Sequence, residues 1–363
     1  MHATERRRRA VTFVPGVARS ARLEVVAPPD PAEGALVVAI DAIGVCGTDR
    51  ELLAGAYGTA PAGRERLIIG HESLGHVLEA PADSGFAPGD AVAGIVRRPD
   101  PVPCAHCAIG EWDLCENGAY TERGIKGRDG YAAQIVRIEP DFAVRVDAAL
   151  GVAGVLTEPA SVVAKAWAEI ERLAARSAAS TIRDVWVTGA GPIGLLAALM
   201  GVQRGCDVAV YDRAEGGPKP ALARDLGARY ATPASPPAAD AAFDVVIECT
   251  GAASVIVEAI KRLRPNGILC LTGVSRTGTK IGVDAGAINR EMVLENAVVF
   301  GSVNARRTHY AAGASALAAA DRHWLHRLVT RRVGLDAWRD AFEPQPDDVK
   351  VVLDFVDARH GAH

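Results

Sequence analysis

The chain has 363 residues, of which 49% are hydrophobic and 23% are charged, and its formal net charge is −4. This length exceeds one simple core and fits two domains, while the charge balance provides no field for nucleic acid. The run Arg6–Arg9 is expected to be a solvated N-terminal arm, and it is not expected to be a secretory signal because no apolar segment follows it. Seven cysteines, an odd number, favour thiols and metal sites in a reducing cytoplasm over a disulfide framework.

The first part of the chain, up to about residue 155, alternates short apolar runs with glycine and proline. Ala35–Asp41 and Gly89–Val96 are examples of such runs, and they predict strands joined by tight turns. A helical pattern then extends from Pro159 to Ala175. We therefore expect a β-rich domain that leads through a helix into a second domain.

Strand and helix patterns alternate through the second part, which predicts a parallel sheet covered on both faces. The tail from Tyr310 is expected to be helical, then extended over Val349–Phe355, and to pack on the first domain. Val185–Gln203 carries no charge, but its Gly/Pro turn and its change of periodicity argue against a membrane span. The predicted elements of this part are Val185–Thr188, Ile193–Arg204, Val208–Tyr211, Pro220–Leu226, Val245–Glu248, Ser254–Leu263, Gly267–Thr272 and Val298–Ser302.

The turn after the first of these strands carries a dinucleotide-binding pattern. Gly189, Gly191 and Gly194 give G-x-G-x-x-G, where the glycines permit the tight turn, the approach of a pyrophosphate and the packing of helix on strand. The N-terminus of the following helix directs free N–H groups at phosphates. Asp212 ends the next strand, where a carboxylate accepts the ribose hydroxyls of NAD. The ordinary alternative is a glycine-rich turn without a ligand.

The first domain carries a second group of chemically active residues, with Cys46, Thr48, His71, Glu72 and Glu158 in glycine-rich surroundings. Cysteine, histidine and glutamate are zinc ligands, and three protein ligands with an open position make a catalytic site that stabilises an alkoxide. Thr48 would relay the released proton. Each residue also has an ordinary role. Cys46 would be a small core residue, His71 a turn histidine and Glu158 a carboxylate at a helix start.

The chain resembles the zinc-dependent medium-chain dehydrogenases over essentially its whole length. The motifs Gly44–Asp49, Gly70–Gly75, Gly89–Val92 and Gly189–Gly194 match in order. Within this superfamily the chain resembles the microbial glucose (aldose) 1-dehydrogenases. The segments that carry this closer resemblance are Gly47–Glu51, Val96–Pro99, Gly118–Ile125, Leu156–Val163 and Gly301–Asn304.

The resemblance implies an α/β fold made of a GroES-like β-rich catalytic domain and a Rossmann domain with a doubly wound parallel sheet. The catalytic domain is expected at residues 1–155 and is completed by 307–363, and the Rossmann domain is expected at 156–306. The active site would lie in the cleft between them. A homodimer or homotetramer is also implied, with no nucleic-acid or membrane partner.

The resemblance further implies a catalytic zinc held by Cys46, His71 and Glu158, with Glu72 as a nearby or alternating ligand. Glu122, Glu158 and Asn304 would hold sugar hydroxyls. NAD is the expected cofactor because Asp212 repels a 2′-phosphate, although Arg213 allows some use of NADP. The residues implied in cofactor binding are Gly189, Gly191, Pro192, Ile193, Gly194, Asp212, Arg213, Thr250, Thr272, Val274, Val303 and Asn304.

One departure concerns a second, structural zinc on a lobe that usually has four cysteines. Cys104, Cys107 and Cys115 occupy the last three places, and Pro101 occupies the first. Asp100 is the candidate for the fourth ligand, with His106 behind it, and a lobe held by packing without metal is the alternative. Cys206, Cys249 and Cys270 lie in predicted Rossmann elements and are expected to be core residues.

The sequence therefore predicts an NAD(P)-dependent zinc dehydrogenase that oxidises the C1 hydroxyl of an aldose to the aldonolactone. A dehydrogenase for another polyol or secondary alcohol, such as sorbitol or threonine, would share all motifs except the sugar contacts. A zinc-free quinone reductase and a dinucleotide-binding protein without catalysis are the alternatives from other classes. The ordinary alternatives for the sugar contacts are a pairing of Glu122 with Arg123 or Arg128 and a contact of Asn304 with the nicotinamide ribose.

Overall fold

The computed structural model describes residues 7–179, 181–275, 278 and 280–356. These residues form two compact units. The first comprises the described residues up to Ser161 together with those from Asn304 onward, and the second is Val162–Val303. The first turn of the helix that starts at Thr157 therefore belongs to the first unit, whereas the sequence places the boundaries after residues 155 and 306.

The strands alternate buried and partly exposed residues or are buried throughout, which is the pattern of sheets that face a core. In chain order they are β1 (Arg8–Phe13), β2 (Arg22–Val26), β3 (Leu36–Val45), β4 (Leu67–Ile68), β5 (Glu72–Glu79), β6 (Ala91–Gly94), β7 (Arg97–Arg98), β8 (Thr121–Arg123), β9 (Gly127–Arg128), β10 (Ile135–Ile138), β11 (Ala143–Arg145), β12 (Asp184–Thr188), β13 (Asp207–Tyr211), β14 (Arg229–Ala231), β15 (Phe243–Glu248), β16 (Leu263–Leu271), β17 (Val298–Gly301), β18 (Val329–Gly334) and β19 (Lys350–Asp354).

The helices begin at recognisable signals, such as the proline at the start of the helix after the glycine motif and the Asp321 side chain that caps Arg322–Leu328. In chain order they are α1 (Gly47–Leu53), α2 (Ala105–Ala108), α3 (Thr157–Ala174), α4 (Pro192–Gln203), α5 (Pro218–Asp225), α6 (Ala253–Lys261), α7 (Ala285–Leu294), α8 (Arg307–Ala318), α9 (Arg322–Leu328) and α10 (Trp338–Phe342).

The first unit is built around a seven-stranded sheet with the order β11-β6-β5-β3-β19-β18, in which β10 also pairs with β3. Strand β3 is buried along nearly its whole length, as expected for the centre of a sheet. The C-terminal strand β19 pairs antiparallel with β3, so that Val351 lies opposite Val45. This pairing confirms that the tail packs on the first unit, and it brings the residues near position 350 beside the end of β3.

Two expectations for the first unit are wrong. The Arg6–Arg9 run is not a solvated arm, because Arg8 begins β1 and is 5% exposed, with its guanidinium hydrogen-bonded to the carbonyls of Ala27 and Ile135. Arg6 itself lies outside the described residues. The tail contains the additional strand β18, which pairs parallel with β19. Two consecutive arginines, Arg331 and Arg332, interrupt its apolar pattern, so the sequence did not indicate a strand.

The second unit has a six-stranded parallel sheet with the order β14-β13-β12-β15-β16-β17. This is the doubly wound Rossmann order, in which the chain reverses direction across the sheet at β12 and β15. The predicted strands and helices of this part are confirmed with small shifts in their ends. Strand β14 was not predicted, because three residues at a sheet edge carry too little apolar pattern.

The run Ala148–Ala174, a 3-10 segment followed by α3, is apolar and long enough to cross a membrane by length and composition alone. However, 67% of its most apolar window is buried inside the protein. Core packing therefore accounts for its composition. Of the Rossmann cysteines, Cys270 is buried in β16 as predicted, whereas Cys206 and Cys249 are partly exposed beside strand ends.

Candidate active site

Strand β3 and helix α1 place Cys46 beside His71 in the first unit. Cys46 is the residue at which β3 ends and α1 begins, and its Sγ lies 3.1 Å from Nε2 of His71. Asp49, in the first turn of α1, accepts a hydrogen bond from the Cys46 backbone N–H at 3.0 Å and lies 3.2 Å from Nδ1 of His71. The Asp49 carboxylate thus fixes the imidazole with Nε2 toward the sulfur, as carboxylates do for metal-binding histidines.

The next residue, Glu72, begins β5 and forms a buried ion pair with Lys350 at the start of β19. The Nζ atom of Lys350 lies 2.6 Å and 2.8 Å from the two carboxylate oxygens, and the side chains are 1% and 3% exposed. Gly44 is required here, because a Cβ atom at this position would lie 2.1 Å from Oε2 of Glu72. The Gly-x-Cys motif therefore makes room for the carboxylate.

Glu158, in the first turn of α3, completes this group. His71, Glu72 and Glu158 each place a ligand atom within 4.8 Å of the others, and so do Cys46, Asp49 and His71. Burial raises the pKa of Glu158 to about 7, although His71 and Lys350 act in the opposite direction. Burial alone would lower the pKa of His71, but the neighbouring Cys46 and Asp49 raise it well above its usual range. Such a dense set of buried ligand groups is typical of a cation site.

The hydroxyl of Thr48 lies in the same turn as Cys46. Thr48 shares a side-chain hydrogen bond with Tyr57, whose side chain reaches solvent because the residue is 41% exposed. Burial of its inner part and the nearby Glu51 and Cys46 raise the pKa of Tyr57. This hydroxyl pair lies next to the cysteine and reaches the surface, and the role of Thr48 in proton transfer stays a prediction.

The predicted sugar contacts Glu122 and Asn304 meet in the first unit. Nδ2 of Asn304 donates to Oε1 of Glu122 at 2.7 Å. The same oxygen accepts hydrogen bonds from Nε and Nη2 of Arg97 at 3.1 Å and 3.0 Å. Glu122 therefore does not pair with Arg123 or Arg128, the two partners proposed for it as an ordinary surface residue. These arginines bind Glu33 and Glu139 instead.

The cysteine lobe brings Cys104, Cys107 and Cys115 together, with their sulfur atoms within 4.8 Å of one another. Backbone N–H groups of Cys107 and Glu116 directed at the sulfur lower the pKa of Cys104 to about 6. Burial raises the pKa of Cys107 to about 11. The cluster thus combines one stabilised thiolate with a buried thiol, a donor set that suits a soft cation such as zinc.

Neither candidate for the fourth position joins this group of three sulfurs. Oδ1 of Asp100 accepts a hydrogen bond from the backbone N–H of Val102 at 2.8 Å, which closes a tight turn. The two ring nitrogens of His106 lie 3.3 Å from Glu111 and 3.4 Å from Glu116. Both side chains are thus directed toward local partners. The spacing of these residues along the sequence does not predict this orientation.

In the second unit, the glycine motif has the geometry that dinucleotide binding requires. Gly189 has φ +93°, and a Cβ atom on Gly194 would lie 1.7 Å from the carbonyl oxygen of Gly189. Gly191 caps α4 and has open space where its Cβ would be. Pro192 and Ile193 form the first turn of α4. The first and third glycines are therefore required by packing, and the second leaves room for a phosphate.

Asp212 follows β13 and is tied to the glycine turn. Its Oδ2 accepts the backbone N–H of Ala190 at 2.7 Å, and its Oδ1 accepts that of Ala214 at 2.9 Å. Lys219 lies 3.6 Å from Oδ1, and Arg213 is exposed. This carboxylate therefore has a structural role, with Lys219 beside it, and the role predicted for it in binding ribose stays a prediction.

The remaining predicted cofactor residues line loops that follow β15, β16 and β17. Glu248 is fully buried and accepts hydrogen bonds from Thr250 and from the Gly251 backbone N–H at 3.0 Å, while its carbonyl accepts from Thr272 at 2.9 Å. Val274 and Val303 are exposed. Glu248 thus organises two of these loops.

Several residues of these sites were missed by reasoning from the sequence. Asp49 had a signal, because it is the third residue of a short helix that starts at a ligand candidate. Glu248 ends a strand of the parallel sheet, a position that often holds functional side chains. Arg97 lies in Val96–Pro99, a segment that carries the family resemblance, but nothing in the sequence pairs it with Glu122. Lys350 had no signal, since its partner Glu72 is distant in the chain.

Comparisons with known proteins agree with this arrangement. The model of the alcohol dehydrogenase GroES-like domain matches residues 32–148, and the model described as the glucose dehydrogenase C-terminus matches residues 151–355. Glucose 1-dehydrogenase of Methanocella arvoryzae is 36% identical and that of Thermoproteus tenax 38%, each over 95% of this chain and 99% of the relative.

Solved structures give the same result. The glucose dehydrogenase of Haloferax mediterranei, in complex with NADP, Zn and gluconolactone, has a TM-score of 0.85 and 29% identity over 96% of this chain and 99% of that chain. A zinc-binding dehydrogenase from Sinorhizobium meliloti bound to NADP has a TM-score of 0.78 and 26% identity over the same shares. The family resemblance stated from the sequence is thus confirmed, and the chain belongs to the glucose dehydrogenase family of GroES-like medium-chain dehydrogenases.

Proposed function

We propose that this protein is an NAD(P)-dependent zinc dehydrogenase that oxidises the C1 hydroxyl of an aldose such as glucose to the aldonolactone. The observation that carries this proposal is a pair of ligand groups that share His71, one with Cys46 and Asp49 and the other with Glu72 and Glu158, in a chain whose relatives are glucose 1-dehydrogenases. The His71 imidazole thus has the Cys46 thiol in one group and the Glu158 carboxylate in the other, which the ordinary role of each residue does not require.

The donor set fits zinc. Cys46, His71 and Glu158 would hold the ion, and Glu72 is close enough to act as an alternating ligand, although its carboxylate is bound to Lys350. Bound zinc supplies Lewis-acid stabilisation of an alkoxide. The same argument applies to the three sulfurs of the cysteine lobe, for which we propose a second, structural zinc. Neither Asp100 nor His106 provides its fourth ligand in the arrangement described.

The side chains of the first unit then have separate tasks. Asp49 holds the His71 ring in the orientation that directs Nε2 toward Cys46. Thr48 receives the proton of the substrate hydroxyl at Oγ1, and the bonded hydroxyl of Tyr57 carries it toward solvent. Glu122 and Asn304 bind further hydroxyl groups of the sugar, since they form a hydrogen-bonded pair of polar side chains in the same unit.

The second unit would bind the nicotinamide dinucleotide, which accepts hydride when bound. Gly189, Gly191 and Gly194 shape the phosphate turn, and Asp212 accepts the ribose hydroxyls, which favours NAD. Lys219 and Arg213 offset part of the negative charge at this point, so we expect measurable activity with NADP as well. The free state of all seven cysteines agrees with a cytoplasmic location.

We also propose a homodimer formed through the second unit. Within the described part of the chain, β17 is an edge strand of the parallel sheet, and α7 has no buried residue. Val293 and Leu294 on this helix are 66% and 60% exposed, and Ile281 and Val283 nearby are 43% and 46% exposed. An open sheet edge beside apolar side chains suits a second copy of the same surface. Light scattering on the purified protein tests this point.

A substrate panel tests the proposed activity. Glucose, galactose, sorbitol, threonine and 2-propanol are each offered with NAD and with NADP, and formation of the reduced nicotinamide is followed by absorbance. An aldose should give the highest kcat/KM. If a simple secondary alcohol or sorbitol is oxidised faster than every aldose, the aldose assignment is wrong and that of a zinc dehydrogenase stands. Quinone reduction by the metal-free protein would contradict both.

A further inference from the structure

The guanidinium of Arg97 is held on three sides within the first unit. Arg97 is 6% exposed, and its Nη1 donates to the backbone carbonyl of Asp113 at 3.2 Å. Its Cζ lies 3.7 Å from the centroid of the Tyr120 ring, at the distance of a cation–π contact. The remaining donors, Nε and Nη2, are both directed at Glu122. The group therefore has one orientation, and that orientation faces this carboxylate.

The hydrogen bonds to Glu122 are unequally divided between its two oxygens. Oε1 accepts from Nε and Nη2 of Arg97 and from Nδ2 of Asn304, at 3.1, 3.0 and 2.7 Å. Among the described residues, no donor is directed at Oε2, and the side chain is 13% exposed. Three donors saturate one oxygen, so Oε2 is the oxygen with capacity to accept a further hydrogen bond.

We propose that Arg97 is a positioning residue for sugar oxidation, which fixes the carboxylate of Glu122 so that Oε2 accepts a hydrogen bond from a hydroxyl group of the sugar. This inference rests on the proposed function. Because the contact exists only for a substrate with a second hydroxyl at the right distance, Arg97 contributes to the selection of polyhydroxylated substrates over simple alcohols. Arg97 acts through Glu122 and does not itself contact the reacting carbon.

The neighbouring Arg98 provides a matched control. It lies on the same strand, is 4% exposed, binds a glutamate (Glu139) at 2.8 Å, and places its guanidinium 4.1 Å from the centroid of an aromatic ring, that of Phe142. The two arginines thus share burial, charge, an ion pair and a ring contact. They differ in the glutamate that they bind, which is the feature that the proposal concerns.

The test is a double-mutant cycle with Arg97→Met and Glu122→Ala in the zinc-loaded enzyme. The values measured are kcat/KM for glucose and the Kd for the dinucleotide. Arg97→Met should lower kcat/KM for glucose by about tenfold to a hundredfold, the effect of one charge-assisted hydrogen bond, and leave the dinucleotide Kd unchanged. In the Glu122→Ala background the same substitution should change kcat/KM by less than about twofold, because its effect passes through Glu122.

Two further variants keep the test decisive. Arg97→Lys retains the charge but provides a single donor group, so it should lose less than Arg97→Met, and it replaces that variant in the cycle if Arg97→Met does not fold. Arg98→Lys should leave kcat/KM for glucose within about twofold of wild type. Equal losses from Arg97→Met in both backgrounds, or no loss in either, would overturn the positioning role while the proposed function stands. A wild-type enzyme that oxidises no aldose would overturn both.

Discussion

The buried pair of Glu72 and Lys350 gives the sharpest stability prediction. Lys350→Met keeps most of the side-chain volume but removes the ammonium that lies 2.6 Å and 2.8 Å from the two carboxylate oxygens. Glu72 would then be a carboxylate at 3% side-chain exposure without its cation. Removing one partner of a buried pair destabilises a protein by about 3–5 kcal/mol, because the other charge remains buried.

Thermal unfolding of the metal-stripped protein measures this cost, since a bound cation would itself neutralise Glu72. The melting temperature should fall by roughly 6–20 °C, at about 2–4 °C per kcal/mol for a domain of this size. The double variant Glu72→Gln with Lys350→Met should recover part of the loss, because no unpaired charge remains. A Lys350→Met protein that melts within a degree of wild type would refute the reasoning.

Three further substitutions test the two sites. Gly194→Ala places a Cβ where only 1.7 Å separates it from the Gly189 carbonyl, so dinucleotide binding measured by calorimetry should be lost while the first unit keeps its metal. Asp212→Ala should raise the ratio of kcat/KM with NADP to kcat/KM with NAD. It should also weaken NAD binding, because two backbone N–H groups lose their acceptor. An unchanged ratio would contradict the role assigned to Asp212. Glu122→Ala should reduce kcat/KM for glucose by about tenfold to a hundredfold without changing the dinucleotide Kd, and an unchanged value contradicts the sugar contact.

The sequence predicted the parallel sheet well, because each of its central strands is an apolar run and each crossover helix has its own pattern. Strands β14 and β18 escaped prediction for a physical reason. Three residues at an edge, or a strand whose apolar positions are interrupted by two arginines, depend on pairing with a neighbour and not on local pattern. The burial of Arg8 has the same origin, since its carbonyl partners at Ala27 and Ile135 are supplied by distant segments.

Site residues could be predicted from the sequence where several of them lie close together along the chain. Cys46, Thr48 and Asp49 share one turn, and His71 and Glu72 share the start of one strand. Residues that act on them from elsewhere were not predictable. Lys350 reaches Glu72 because β19 pairs with β3, and Arg97 reaches Glu122 because β7 pairs with β8. The fourth position of the cysteine lobe shows the same limit, since Asp100 is at a suitable place in the sequence but caps its own turn.

The dependence of aldose oxidation on the zinc proposed at Cys46, His71 and Glu158 is the most direct test of this account. The measurement is the rate of glucose oxidation against zinc content per chain, for the wild type, Cys46→Ser and the control Cys206→Ser, before and after chelation and zinc return. We expect turnover to vanish when zinc is removed from the catalytic site and to return with zinc in the wild type and in Cys206→Ser. Turnover should stay absent in Cys46→Ser. Each protein should still bind the dinucleotide. Undiminished glucose oxidation by protein shown to contain no zinc would contradict the account.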